Sequence, residues 1–166
     1  YGLWRLALTP DNPSAGLYNI EAANIEFLCA LGAQYPGGLG FIPSGSNFNS
    51  LMIPDYDSGN IFLLKLDPLT GECIDSATGQ TATIGFRTPT LISGLATPWG
   101  FIFDPETNDF FVPAIGADGE IYHFSGFPPG QNIQVLLSNI NTAVSGIQLL
   151  LDPTTRRMPG QEVEDK

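Results

Sequence analysis

The sequence predicts an all-β protein made of tandem antiparallel sheets, and three observations lead to this fold class. Short apolar runs alternate with turn signals along the chain, and the same arrangement of runs and turns recurs about sixty residues later. The chain also contains 19 Gly and 14 Pro, which leave little room for a long helix. Runs such as IFLLKL and FIF are nearly continuously apolar, which is typical of strands buried on both faces.

These features predict a β-propeller-like array of about three antiparallel blades plus the first strand of a fourth, because sheets stacked around an axis bury both faces of their inner strands. A β-sandwich is the alternative. We expect one repeat domain over residues 1–155, with repeats near 1–36, 37–96, 97–144 and 145–155. Residues 156–166 mix charges without apolar periodicity, which predicts a flexible tail.

The first repeat opens with WRLALTPDN, which has the apolar alternation and the turn of the later copies. Its continuation, LYNIEAANIEFLCAL, contains Ala, Glu and Leu residues, which favour helix. Asn24 and Ile25 nevertheless occupy the place that Asn60 and Ile61 take in the next copy, so we predict strands here.

The second and third repeats match at two motifs with the same separation. GFIP aligns with GFIF, and SGNIF aligns with ADGEIY, at an offset of sixty residues with one residue of adjustment between them. The aligned pairs are Gly40 with Gly100, Phe41 with Phe101, Ile42 with Ile102, Gly59 with Gly119, Ile61 with Ile121 and Phe62 with Tyr122. Agreement at two motifs is much less expected by chance than agreement at one.

Each repeat is predicted to contain three or four strands joined by Gly-containing turns, because glycine accepts the positive φ of a hairpin. We expect first strands at Gly40–Pro43 and Gly100–Phe103, and second strands at Leu51–Pro54 and Phe110–Pro113. Third strands are expected at Asn60–Leu66 and Glu120–Phe124, and fourth strands at Thr90–Leu95 and Asn132–Ile140. A fourth repeat opens with LLLDPTT, which matches FIFDPET.

The segment PWGFIFDPETNDFFV, with the later DGEIYHF, resembles a blade of the NHL and gluconolactonase-like propellers, which are of the six-bladed type. In those families a Pro-x-Gly opening leads into an inner strand, then a second strand, then a strand that begins Gly-x-Ile. The known rings have more blades than this chain supplies. The resemblance therefore implies that further blades of a longer parent chain, or other copies, complete the array, or that the sheets stack openly.

Charge and composition argue against some function classes. The formal net charge is −11, from 17 acidic and 6 basic side chains, and such a surface repels a phosphate backbone, so nucleic acid is not expected as a partner. No stretch approaches eighteen consecutive apolar residues, so no membrane span is expected. Few Lys residues and many Gly, Asn, Ser and Thr residues favour an extracellular, secreted protein.

The two cysteines, Cys29 and Cys73, lack the spacing of a metal site. A disulfide between them and two separate buried thiols are both compatible with the sequence, because sequence alone does not show whether their Cα atoms come close.

The turn DYDSGN, residues 55–60, is the candidate metal site in the sequence. Asp55 and Asp57 alternate and Asn60 follows them, which places oxygen ligands as Ca²⁺ prefers. The alternative is a hairpin turn whose Asp side chains cap backbone amides. The equivalent turn offers only Asp118 and Glu120, which favours that alternative. Apart from Ca²⁺ at this turn, no cofactor is expected.

The other polar and aromatic residues form no recognisable catalytic motif. His123 is the only histidine, and we predict a structural or surface role, since a catalytic histidine needs an orienting partner and a nucleophile. Trp4 and Trp99 open inner strands and are predicted to pack, with sugar stacking as the alternative. Gluconolactonase-like enzymes hold a divalent cation with acidic and Asn side chains at the channel mouth. None of the residues in loop positions here maps individually onto that site; these are Glu21, Asp75, Asp104 and Asn108.

The expected function is a non-catalytic extracellular structural or binding module that self-associates into a homo-oligomer or polymer. Exposed terminal strands of an incomplete array pair readily with another chain. The alternatives are a metal-dependent lactonase-like hydrolase, or a fragment of one, and a lectin-like glycan-binding propeller.

Overall fold

The computed structural model describes residues 1–12, 15–42, 49–83, 85–104, 107–116, 119–126 and 133–140. Within these ranges the chain forms twelve β-strands in three antiparallel sheets and no α-helix, which confirms the all-β prediction. None of the described residues belongs to a helix with the length and apolarity that a membrane crossing requires. The predicted fourth repeat at 145–155 and the predicted tail at 156–166 lie outside the described residues.

The strands fall into three sheets that follow one another along the chain. The N-terminal ribbon pairs β1 (Gly2–Asn12) with β2 (Leu17–Ala30). The middle sheet contains β3 (Gly40–Phe41), β4 (Ser50–Asp55), β5 (Asn60–Leu66), β6 (Cys73–Asp75), β7 (Gln80–Thr81) and β8 (Thr90–Ile92). The third sheet contains β9 (Ile102–Asp104), β10 (Asp109–Ala114), β11 (Glu120–Phe124) and β12 (Gln134–Leu137).

The middle and third sheets share one strand order. The path β3-β4-β5 continues to β8 in the middle sheet, and β9-β10-β11 continues to β12 in the third sheet. The β6–β7 hairpin is an insertion that pairs with the last residues of β5. A β-bulge also recurs, between Ile61 and Phe62 opposite β8 and between Ile121 and Tyr122 opposite β12. A bulge is a specific local feature, so its recurrence makes the two sheets structurally equivalent.

The register confirms the predicted correspondence in the second and third strands. Pro54 lies opposite Ile61 in the middle sheet, and Pro113 lies opposite Ile121 in the third sheet. β4 and β10 are each one residue longer at both ends than predicted, and β5 and β11 have the predicted bounds.

The predicted correspondence in the opening strands is wrong by two residues. Gly40 lies opposite Met52, whereas Ile102 lies opposite Phe111, which is the equivalent of Met52. Gly40 therefore corresponds to Ile102 and not to Gly100. Side chains of a strand alternate with period two, so a shift of two residues leaves every side chain on its face and the apolar pattern does not reveal it. The opening strands are also shorter than predicted, at two and three residues.

The fourth strands end earlier than predicted. They stop at Ile92 and Leu137, because Gly94 and Asn139, two residues further on in each case, adopt positive φ angles of 83° and 57°. A left-handed residue interrupts the extended backbone, and the sequence runs of Leu and Ile do not show this.

Two hydrophobic clusters separate the three sheets. β4 is buried along its whole length, as expected for a strand covered on both faces. Leu51 and Ile53 lie in the cluster shared with the end of the ribbon, whereas Met52 lies in the cluster shared with the third sheet. Phe110 and Val112, the equivalents of Leu51 and Ile53, face the middle sheet in that second cluster. Each sheet thus turns the same face to the sheet before it, and the stacking is head-to-tail.

The N-terminal ribbon differs from the predicted first repeat. It has two strands of 11 and 14 residues instead of three or four short ones, although the strand prediction over LYNIEAANIEFLCAL is confirmed. Six residues after β2, Pro36 bridges to Asp55 at the end of β4. Six residues after β8, Pro98 bridges to Ala114 at the end of β10. β2 therefore takes the place of a fourth strand of a preceding unit, with β1 as its neighbour.

The ribbon is tied covalently to the middle sheet. Cys29 of β2 and Cys73 of β6 form a disulfide with Cα atoms 6.3 Å apart, so the disulfide is the alternative that is found. Both residues are buried in the cluster between the ribbon and the middle sheet.

Candidate functional site

The predicted calcium turn joins β4 to β5, and Asp55 is its buried residue. Asp55 is 0% exposed; its Oδ1 accepts a hydrogen bond from the Tyr35 N–H at 2.6 Å, and its Oδ2 accepts one from Ser58 Oγ at 2.6 Å. Gly59, at a φ of 67°, donates its N–H to the Asp55 carbonyl oxygen at 3.1 Å and closes the turn. Each carboxylate oxygen thus serves a structural contact, one of them to a backbone amide.

The three predicted ligands occupy different environments. Asp55 and Asn60 are a cross-strand pair, whereas Asp57 is exposed at the tip of the turn. Among the residues that the structure describes, no group of three or more His, Cys, Asp or Glu side chains is arranged to hold a metal ion. Asp118 of the equivalent turn lies outside the described residues. Ca²⁺ binding at this turn stays a prediction.

His123 has a partner that sequence reasoning missed, Asp109. The imidazole Nε2 lies 2.9 Å from Asp109 Oδ2, and Nδ1 lies 3.4 Å from Gln134 Oε1. The ring also stacks on Phe111 with centroids 4.9 Å apart. Alternation along β10 places Asp109 and Phe111 on one face, next to His123 on β11, so the pairing of these two strands was the missing signal.

The Asp109 carboxylate is favoured in its charged form. Burial raises the pKa of Asp109, but the hydrogen bonds from His123 and from the Gly126 N–H, at 2.9 Å, outweigh burial and hold the pKa below its ordinary value. Within the described residues, the imidazole bonds to a carboxylate and an amide, neither of which is a nucleophile of the Ser or Cys kind. The arrangement orients His123 on the sheet and fits a structural role.

Four further residues are predicted to lie in loops. Asp75 and Asp104 end strands beside turns and Asn108 lies in a turn, whereas the prediction is wrong for Glu21, which lies within β2. Asp75 accepts a backbone N–H in the β6–β7 turn. Asp104 accepts a hydrogen bond from Thr107 in the β9–β10 turn, where Asn108 adopts a φ of 61°. These contacts are typical of turn-stabilising Asp side chains. The Glu21 side chain lies outside the described part of the structure.

The ribbon carries an exposed apolar face. Trp4 lies opposite Phe27 and Leu6 opposite Ile25, and Leu8 continues the row along β1. All five side chains are exposed, with Trp4 at 56%. Trp4 contacts Phe27 edge-on with centroids 5.1 Å apart. A two-stranded ribbon with such a face is marginally stable in water unless the face is covered.

The apolar face is turned away from the middle sheet. On the opposite face, Arg5 pairs with Glu26 at 2.6 Å and donates to the Thr70 carbonyl oxygen at 2.5 Å, in the turn after β5. The polar face therefore lies toward the middle sheet. The second tryptophan, Trp99, instead contacts Tyr56 between the middle and third sheets, with centroids 6.1 Å apart.

A cleft of about 790 Å³ opens at the junction of the ribbon and the middle sheet. It lies between the segment that follows β2 and the start of β5, and its lining includes Gln34, Asn60, Phe62, Arg87 and Thr88. Thr88 is 4% exposed, and its Oγ1 has no hydrogen-bond partner among the described residues. Sequence reasoning missed this cleft, because its walls come from three separate segments.

We call the contact between the ribbon and the middle sheet the first junction, and the contact between the middle and third sheets the second junction. At the second junction, a hydroxyl group occupies the place that corresponds to the cleft. Tyr122, the equivalent of Phe62, accepts a hydrogen bond from the Ala96 N–H at 3.0 Å and donates one to the Glu120 carboxylate. Burial and then the bond to Glu120 raise the pKa of Tyr122, so its hydroxyl stays protonated at neutral pH. The two junctions therefore share a backbone frame and differ in polar chemistry.

The resemblance of PWGFIFDPETNDFFV and DGEIYHF to propeller blades stays a prediction. The repeat in strand order, register and bulge is internal to this chain, so it does not by itself identify a family. Comparison of the chain with protein-family models, with curated proteins and with solved structures gave no match.

Proposed function

We propose that the protein is a non-catalytic extracellular structural or binding module that self-associates by stacking its sheets in the manner of propeller blades. The observation that carries the proposal is the head-to-tail contact between equivalent sheets. The face of the middle sheet that contacts the ribbon corresponds to the face of the third sheet that contacts the middle sheet. Contacts of this heterologous kind extend to further units until a ring closes.

Among the described sheets, the outermost face on one side is the far face of the third sheet. Phe111 and Ile121 lie on it as the equivalents of Met52 and Ile61, which are fully buried between the middle and third sheets. Phe111 and Ile121 are only partly buried. Apolar side chains at positions that are core in the previous copy support a role in receiving another sheet.

The outermost described face on the other side is the apolar face of the ribbon, which is turned away from the middle sheet. A partner on this face would remove five exposed apolar side chains from water: Trp4, Leu6, Leu8, Ile25 and Phe27. Burial of apolar surface stabilises a contact by about 25 cal/mol per Å². A second copy supplies a complementary occupant, because its third sheet presents the face that comes next in the stacking order. Two separate inter-sheet cores also favour such an array over a two-layer sandwich, which has one.

An extracellular location is supported by the Cys29–Cys73 disulfide. Disulfides form and persist in oxidising compartments and are rare in the cytosol.

The test is the molar mass measured by size-exclusion chromatography with light scattering over a micromolar concentration series. We expect the mass to rise with concentration. Leu6→Glu in the ribbon face should weaken association at least tenfold, since a buried charge opposes contact. The matched control is Leu69→Glu, in the turn after β5, where the side chain is 93% exposed and association should be unchanged. A monomeric mass for the unaltered protein across the whole series would contradict the proposal.

A further inference from the structure

The two junctions between sheets differ at one polar contact. At the second junction the Tyr122 hydroxyl lies between the Ala96 N–H and the Glu120 carboxylate. At the first junction the equivalent positions hold Phe62 and Asn60. The strands that carry these residues are therefore arranged alike at the two junctions, but the first junction lacks counterparts of the Tyr122 hydroxyl and the Glu120 carboxylate.

The position of Ala96 at the first junction is taken by Gln34. Pro36 and Pro98 form equivalent bridges, and Gln34 and Ala96 each precede their proline by two residues. By this correspondence, Gln34 and Asn60 flank the place where a hydroxyl group sits in the other copy, and both residues line the cleft. The cleft of about 790 Å³ lies at this place.

The size and walls of the cleft fit a small ligand. Its volume falls within the range of about 300–1,000 Å³ that is usual for small-molecule sites. Phe62 supplies an apolar wall, and the exposed Gln34 and Arg87 supply polar groups at the rim. Thr88 also lines the cleft, and its buried hydroxyl lacks a partner among the described residues.

The chemistry of the walls selects among ligand classes. Besides the exposed Arg87 guanidinium at the rim, the polar groups of the walls are amides, hydroxyls and the buried Asp55 carboxylate. The two oxygens of that carboxylate already accept hydrogen bonds from Tyr35 and Ser58. The net charge of −11 disfavours anions. A ligand that carries several neutral hydroxyl groups both donates and accepts at these positions.

We infer that the cleft binds a neutral polyhydroxylated ligand, a saccharide, one hydroxyl of which takes the place that the Tyr122 hydroxyl holds at the second junction. The inference rests on the cleft and on its comparison with the second junction, and it is independent of self-association.

Saturation-transfer difference NMR on the whole chain tests it, with maltose, lactose, cellobiose and N,N′-diacetylchitobiose as probes at millimolar concentration. We expect at least one of these four to receive saturation. Phe62→Tyr should reduce that affinity at least tenfold, because the new hydroxyl occupies the ligand position as Tyr122 does. Its melting temperature should equal or exceed that of the unaltered protein, which shows that the loss is not due to unfolding.

Two further variants sharpen the test. Asn60→Leu removes the flanking amide and should also weaken binding. Phe41→Tyr makes the same chemical change at an exposed position on β3 and should leave binding unchanged. No saturation transfer to any of the four saccharides, or binding retained in both Phe62→Tyr and Asn60→Leu, would overturn the inference. Preferred binding of the anionic 3′-sialyllactose would overturn the assignment to neutral ligands.

Discussion

A single buried carboxylate, that of Asp55, holds the junction between the ribbon and the middle sheet. It receives the Tyr35 N–H from the connecting segment and the Ser58 hydroxyl from its own turn. Hydrogen bonds to charged groups contribute about 1.5–3 kcal/mol each, more than bonds between neutral groups. The equivalent residue in the third sheet is Ala114, so this anchoring is specific to the first junction.

We predict that Asp55→Ala lowers the free energy of unfolding by about 2–4 kcal/mol, because two donors lose their acceptor. Asp57→Ala is the matched control at an exposed position and should change it by less than about 0.5 kcal/mol. Urea denaturation measures both. If Asp57→Ala costs as much as Asp55→Ala, and EDTA lowers the melting temperature, the turn holds Ca²⁺ and amide capping is not its main role.

The pair of Asp109 and His123 gives the protein a pH-dependent contribution to stability. The folded pKa of Asp109 lies below the ordinary value of 3.8. A depressed carboxyl pKa stabilises the fold when pH is above the unfolded-state pKa, and the contribution is lost as pH falls through the folded pKa.

We predict that Asp109→Asn lowers the melting temperature at neutral pH, and that the difference from the unaltered protein shrinks below about pH 4. Calorimetry from neutral pH to about pH 3 measures it. The exposed Asp57→Asn serves as control and should show a difference independent of pH. A difference for Asp109→Asn that stays constant or grows between about pH 4 and pH 3 would contradict the assignment.

At the scale of elements, the N-terminal ribbon depends on its attachment. Its two strands are long, but a two-stranded sheet buries little surface of its own. Leu3, Leu28 and Leu31 pack against the cluster shared with the middle sheet, and the disulfide lies in the same cluster. The covalent link therefore fixes the ribbon at the same place as its apolar contacts with the middle sheet.

We predict that replacing both Cys29 and Cys73 by Ala lowers the free energy of unfolding by about 4 kcal/mol. This is the loop-entropy value for a separation of 44 residues. Guanidinium denaturation measures the change, and the unaltered protein with a thiol reductant should lose a similar amount. An unfolding free energy within about 1 kcal/mol of the unaltered value would show that packing alone holds the ribbon.

The β6–β7 hairpin shows how a repeat accepts an insertion. It pairs with the last two residues of β5, whereas β8 pairs with Ile61 and Phe62 near the start of β5. The strand order of the unit is therefore kept, because the insertion uses a part of the β5 edge that the fourth strand does not need. The same hairpin carries Cys73, so the insertion also supplies the anchor of the ribbon.

At the scale of the molecule, the sheets form a directional stack. Each contact joins two different faces, so in the proposed self-association the addition of copies would lengthen the stack without changing the contact. The net charge of −11 opposes close approach of copies. The apolar contact must outweigh this repulsion, which salt screens, so association is expected to be stronger at high ionic strength than at low.

By itself the sequence determined the all-β class and the bounds of β5 and β11. Apolar runs and glycine turns are local signals, readable without knowledge of the partners of a strand. It also determined most of the repeat, but it misaligned Gly40 with Gly100, since a shift of two residues preserves the alternation of a strand.

Only the tertiary structure decided the disulfide between Cys29 and Cys73, the pairing of His123 with Asp109 and the cleft beside Phe62. Each depends on side chains that are 14 to 44 residues apart or on walls drawn from separate segments. Such contacts follow from strand register and sheet stacking, which local patterns of polarity do not specify.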